Sequence, residues 1–400
     1  MKKRIFTVLL AAAMTVSLAA CAGTAENNAG KKTEETSAGQ SVSKEAAESE
    51  AASKETPGEN TPEQAASDEK ASGGNAPEQS VVKWNCGTSG NVLLTIAEEK
   101  GYLKDEGITI EYVEANADAM TLLATGKVDV VSNAGTSNPL QQIASGVDLT
   151  IFGGHMVEGC MPVVAKAGAE WNGIESFIGK KVAVNPSYFA FTGAVMDLGY
   201  DNPLEAVDWE IYSDYNDALA AVIRGDVEYA LMGTGQNLAV QEMAKNGEID
   251  IVSYQSEIME NYSCCRMEGQ TQWVKDNPNT VKAVIRALLR AQSYYESNKE
   301  EAVKLHAAKI KATEEYVAAY MLDDEHYFVS VDPLKNSVKR AWDILDKTGF
   351  LDEKAKEINI DDHINTKLYE EALGEAAEAY GGEAPEFYQN MKTFFEENDK

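Results

Sequence analysis

Hydroxyl side chains recur at the tips of four short loops that hold little else but glycine, asparagine and alanine. They are Thr88 and Ser89 in Gly87-Thr88-Ser89-Gly90, Thr136 and Ser137 between Asn133 and Asn138, Ser187, Tyr188 and Thr192 after Asn185-Pro186, and Thr234 in Gly233-Thr234-Gly235-Gln236-Asn237. Hydroxyls and main-chain N–H groups at helix starts can hold an oxyanion without a formal positive charge. Each single hydroxyl can equally be a helix cap, so the set carries more than its members. Tyr188, Phe189 and Phe191 surround the third loop, with Tyr212 and Tyr215 downstream; they read either as core or as an aromatic wall for a planar or apolar solute. Arg266 and Glu158 are the nearest charged candidates, and an arginine there can pair bidentately with a sulfonate or with a carboxylate of the protein. His155, His306, His326 and His363 are scattered without ligand spacing, so neither a metal site nor a cofactor is read.

The elements that must position these loops are visible as a repeat. Asp118-Ala119, Gly126, Val128 and Asp129 answer to Asp217-Ala218, Gly225, Val227 and Glu228. In each copy a helical stretch is closed by a glycine, where a left-handed residue costs least, and a strand follows at once. Upstream, Val82-Lys83-Trp84-Asn85 and Val182-Ala183-Val184-Asn185 each open onto a loop and a helix that ends in Gly101-Tyr102 or Gly199-Tyr200. The units predict two doubly wound α/β lobes, with loops at the carboxyl ends of strands closing on a small ligand from opposite sides.

The first twenty residues read as an export leader, with Lys2, Lys3 and Arg4 before the apolar run Ile5 to Ala13. Residues 21–79 are Ala, Glu, Ser, Gly, Thr and Lys with almost no large apolar side chain, a composition that cannot offset ordering entropy. The segment is expected to be a disordered tether, a coil of about 58 residues that spans roughly 40–45 Å. The remainder exceeds one typical core and fits two lobes. The expected divisions are lobe 1 over 80–164, lobe 2 over 165–262, a return to lobe 1 with C-terminal helices over 263–380, and an acidic tail over 381–400. Asn277 and Pro278 predict a helix start, and Val281, Val284, Ile285, Leu288 and Leu289 form one apolar stripe that reads as core.

The formal charge of −30 argues against nucleic acid as a partner, because counterion release needs a basic face. Loss of the leader makes the rest three charges more negative. Beyond Cys21 the cysteines are Cys86, Cys160, Cys264 and Cys265. If the chain crosses between lobes near Cys160 and again near Cys264-Cys265, the crossings lie side by side and Cys160 can bridge to one of the pair.

Leu18-Ala19-Ala20-Cys21 resembles the lipobox of bacterial lipoproteins, which implies a lipid anchor at Cys21 and a place on the outer face of the cell membrane. From Asn91 onward the order of motifs is similar to the solute-binding proteins of ABC importers, of the nitrate/sulfonate/taurine and thiamine-precursor type. The motifs are Gly101-Tyr102-Leu103-Lys104-Asp105-Glu106-Gly107, Gly126-Lys127-Val128-Asp129, Gly146-Val147-Asp148, Ile178-Gly179-Lys180-Lys181-Val182-Ala183-Val184 and Arg224-Gly225-Asp226-Val227-Glu228. The resemblance implies a type II periplasmic-binding-protein fold with a hinge, a helical C-terminal part, and a monomer serving an ABC permease and its ATPase. A sulfonate-like anion or a pyrimidine-like heterocycle is the expected solute. A surface sensor on the same fold is the alternative class. A pyrimidine-synthase-type enzyme would need a lysine or histidine in the four loops, which contain neither.

Overall fold

The computed structural model describes residues 75–87, 90–113 and 118–400. The leader, Cys21, most of the tether, and Thr88 and Ser89 lie outside the described residues. The first lobe begins with β1 (Val81–Asn85), α1 (Val92–Glu99), α2 (Tyr102–Asp105) and β2 (Thr109–Tyr112), then α3 (Ala119–Ala124), β3 (Val130–Val131), α4 (Ser137–Ala144) and β4 (Leu149–Gly159). The chain then crosses to β5 (Pro162–Lys166), β6 (Lys181–Ala183), α5 (Phe189–Asp197), α6 (Pro203–Ala206) and β7 (Asp208–Trp209). Lobe 2 is completed by α7 (Tyr215–Arg224), β8 (Tyr229–Leu231), α8 (Asn237–Lys245), β9 (Ile249–Tyr254) and α9 (Gln255–Ile258). The return runs through β10 (Cys265–Gln270), α10 (Thr271–Asp276), α11 (Pro278–Ser297), α12 (Lys299–Ile310) and α13 (Glu314–Met321). It finishes with β11 (Tyr327–Val329), α14 (Lys335–Lys347), α15 (Thr366–Tyr380) and α16 (Pro385–Asp399).

Two mixed sheets form, β11-β4-β10-β3-β1-β2 and β7-β6-β8-β5-β9. Each holds a parallel trio, followed by one antiparallel strand that the chain delivers at a crossing: β10 beside β3 and β4, and β5 beside β8 and β9. This is the duplicated architecture of a type II periplasmic-binding-protein fold. Gly126 and Gly225 take φ of 68° and 83°, the left-handed region that their place at the ends of α3 and α7 requires. The acid of each copy then closes the repeat: the Asp129 carboxylate accepts from the Lys83 amide at 2.8 Å, and that of Glu228 from the Lys181 amide at 2.9 Å. The motif is a clasp between neighbouring parallel strands.

Helix α11 is the spine of the larger core and packs on α1, α2 and α15. All five residues of its predicted stripe are at most 1% exposed. Its start is capped from far away. Asn277 donates its amide to the Trp273 carbonyl, while the Glu78 carboxylate accepts from the Asn279 and Thr280 amides at 3.1 and 2.8 Å. The last residues assigned to the tether are therefore docked on α11, where a carboxylate satisfies first-turn donors. Glu106, from the Gly101–Gly107 motif, accepts from Arg286 of α11 at 2.5 Å in a fully buried ion pair that Tyr380 and Glu375 complete.

Three sequence expectations change. The first crossing lies at Cys160 and Met161, so residues 162–164 belong to lobe 2, because β5 pairs with β8 and β9 and leaves lobe 1 altogether. The acidic tail is helix α16: Phe387, Tyr388, Met391 and Phe395 are buried, and it packs on α14 and α15. Cys160, Cys264 and Cys265 are free thiols, so the possible bridge from Cys160 to one of the pair is not formed. Cys264 Sγ lies beside Gly159, and Cys160, the next residue, turns the other way toward Asn237 and Asp323. Cys160 itself takes a left-handed φ of 48° just past the end of β4, and that turn carries its side chain away from Cys264.

Candidate functional site

A cavity of about 530 Å³ lies between the lobes where the predicted loops meet. Lobe 1 supplies Asn133 to Asn138 and Met156; lobe 2 supplies the segment before α5, Tyr215 at the start of α7, and Gly233 to Gln236 before α8; the crossings supply Met161, Gln255 and residues 262–265. The starts of α4, α5 and α8 thus open onto one space. First-turn N–H groups have no acceptor within their own helix, and the helix dipole makes that end positive. None of the lining side chains carries a formal charge.

Small residues bring these walls together. Gly135, with φ of 73°, turns the chain into α4. A side chain at Gly233 would meet the Tyr215 ring at 2.6 Å, and one at Gly235 would run into the Tyr316 hydroxyl. At Gly159 it would strike Cys264 Sγ at 2.9 Å, so glycine lets the crossings lie together. Cys160, Asn261 and Ser263, all at the crossings, hold positive φ values of 48°, 49° and 58°. Such conformations cost roughly 1–3 kcal/mol each and gather where a chain is held for function. The strain falls on the hinge.

The loop hydroxyls have distinct environments. Ser137 lines the cavity and donates across the cleft to the Ser187 carbonyl at 2.7 Å. Ser187 and Tyr188 line it too; the Ser187 hydroxyl is held by Asn185, and the Tyr188 hydroxyl meets that of Tyr215 at 3.3 Å. Desolvation first, then the neighbouring Tyr188, raises the Tyr215 phenol, which stays protonated. Thr234 lines the wall and donates to the Gly159 carbonyl. Thr136 is 2% exposed and its hydroxyl is spent on the Ser263 carbonyl, so it fixes the second crossing. Thr192 is kept out of the cavity: it sits one turn into α5, fully buried, and donates to the Phe189 carbonyl at 3.4 Å.

Of the charged candidates, Arg266 is buried behind the sheet, donating to the Met156 and Asp332 carbonyls at 2.5 Å each. Glu158 accepts from the Asn261 amide away from the cleft. Neither lines the cavity.

Sequence reasoning missed Gln255, which lines the cavity, is 5% exposed, and keeps Oε1 without a hydrogen-bond partner. It also missed Tyr262, whose hydroxyl accepts from the Gly159 amide at 2.7 Å, and the sulfur-bearing wall of Met156, Met161 and Cys264. A hydrogen bond from Cys265 lowers the Cys264 thiol, whereas the same contact and burial raise that of Cys265. No local signal marks these residues, which converge only once both crossings are made.

Residues 91–302, just over half of the chain, match the family described as NMT1/THI5 like. The chain belongs to that family. No curated protein matches its sequence. Among solved structures it is similar to the periplasmic aliphatic sulphonate-binding protein SsuA from Escherichia coli, at 16% identity and a TM-score of 0.58, over 72% of this chain and 92% of that one. It is also similar to the periplasmic nitrate-binding protein NrtA from Synechocystis PCC 6803, at 19% identity and a TM-score of 0.57, over 76% and 90%. The desulfurization enzyme DSZB shares the fold as well, at 14% identity and a TM-score of 0.52, over 74% and 99%. At these identities the likeness is one of fold, which a binding protein and an enzyme can share.

Proposed function

We propose that this family member is an extracytoplasmic solute-binding receptor that captures a small organic oxyanion of the sulfonate type and delivers it to an ABC permease and its ATPase. The observation that carries the reading is the convergence of three helix starts on an interlobe cavity whose lining side chains are all uncharged. Such a site favours an anion through main-chain N–H groups and dipoles. Met156, Met161 and Phe189 offer apolar surface for an organic group beside it. The sulphonate-binding and nitrate-binding proteins that share this fold are consistent with an oxyanion. In this reading Cys21 carries a lipid, and the segment after it lifts the lobes away from the membrane.

The second reading is an uncharged aromatic heterocycle, favoured by Tyr188, Tyr215 and Tyr262 in the same uncharged wall. Thermal-shift titration with sulfonates, nitrate, pyrimidines and flavins separates the two. A ligand at a hundred times its Kd stabilises by about 2.7 kcal/mol. Gln236→Glu puts a carboxylate at the start of α8, which suits the helix but repels an anion. Sulfonate binding that Gln236→Glu abolishes is the expected result; binding of a pyrimidine or flavin alone, unaffected by that change, would replace the oxyanion with the heterocycle.

A further inference from the structure

A second chamber of about 300 Å³ adjoins the cleft and shares with it the walls at Met156, Thr234 and Gly235. Strand β4 places His155 in its wall, α12 brings His306, and Tyr316, Tyr320 and Tyr327 close the far side. His155 is 1% exposed and its Nε2 has no hydrogen-bond partner. Buried ring nitrogens are rarely left so, because an unmade hydrogen bond costs the full desolvation of the group.

The surrounding bonds fix which way the ring is protonated. The Asn133 amide nitrogen donates to the Gly90 carbonyl at 2.5 Å, which assigns its oxygen to the other side. That oxygen faces His155 Nδ1 at 3.0 Å and can only accept. Nδ1 therefore carries the proton in a neutral ring, and Nε2 presents a lone pair. Burial, then the charges of His306 and Arg266, disfavour a second proton.

The geometry points to a donor-recognising subsite: the solute held in the main cleft extends past Met156 into this chamber, where His155 Nε2 accepts a hydrogen bond from an amino, hydroxyl or ring N–H group at its far end. The inference rests on the oxyanion reading for the other end of the solute and deepens it. A lone pair repels sulfonate oxygens, so the anionic head belongs at the helix starts and the donor-bearing end here. The tyrosine walls suit a planar group between the two.

Three probes test this: benzenesulfonate, 4-aminobenzenesulfonate and aniline, followed by calorimetry and by imidazole nitrogen NMR of the full chain labelled at histidine. The His155 resonance is identified by its loss in His155→Gln. The amino-bearing sulfonate should bind about tenfold more tightly than benzenesulfonate, shift the His155 Nε2 resonance, and lose its advantage in His155→Phe. If that variant does not fold, the resonance shift in the native protein decides. Equal binding of the two sulfonates with an unmoved resonance overturns the subsite and leaves the oxyanion reading intact. A shift produced by aniline when neither sulfonate binds supports the subsite and removes the oxyanion reading. An unmoved resonance with every probe overturns the subsite.

Discussion

Acidification should weaken this fold through His155 by an amount that can be worked out in advance. Burial, with smaller contributions from His306 and Arg266, lowers its pKa from the ordinary 6.5 to about 3. Between those values the unfolded chain binds a proton that the folded ring refuses, so stability falls as pH drops through 6.5 toward 3. At pH 4.5 the linked loss is about 2–3 kcal/mol relative to pH 7.5. Other groups titrate over the same range, so the informative quantity is a difference. Urea unfolding of the native protein and of His155→Gln, each at both pH values, should show the native protein losing about 2–3 kcal/mol more than the variant. Equal losses would refute the reasoning, because the ring would then accept its proton in the folded state.

Glu268 should behave with the opposite sign. It is 1% exposed, both carboxylate oxygens lack partners, and burial, only partly opposed by Arg266, raises its pKa well above the usual range. Its contribution is present below the unfolded pKa and lost as pH rises, so Glu268→Gln should stabilise at pH 7.5 by on the order of 1–3 kcal/mol and change little at pH 4; an unchanged urea midpoint at pH 7.5 would count against this. Glu106→Ala strands Arg286, which keeps only the half-buried Glu375. A loss of about 3 kcal/mol, the lower end for breaking a buried pair, lowers Tm by roughly 5 °C in calorimetry; a fall below about 1 °C would show that the pair is solvated. Cys21→Ser should release the protein from the membrane, and unchanged retention with unchanged electrophoretic mobility would exclude the lipid anchor.

Local physics made much of this protein legible. The repeated glycines at 126 and 225 took the left-handed conformation because few other residues reach it cheaply, and the α11 stripe was core because its spacing leaves one apolar face. Ser137, Ser187, Tyr188 and Thr234 met at one cavity because strand ends and helix starts share an edge of each sheet. The acidic composition of the last twenty residues hid a helix whose four large apolar side chains had the spacing to dock.

What the sequence determined by itself was therefore the two-lobed plan, because periodicity and glycine conformation act between near neighbours. Only the tertiary structure decided which distant groups meet. Glu78 caps a helix 201 residues away, Cys160 turns from Cys264 because of one left-handed residue at the crossing, and Thr136 spends its hydroxyl on Ser263. His155 and His306 share a chamber although neither carries any mark in the chain. Such contacts depend on the register of strands and the closure of two crossings, which no short window of residues encodes.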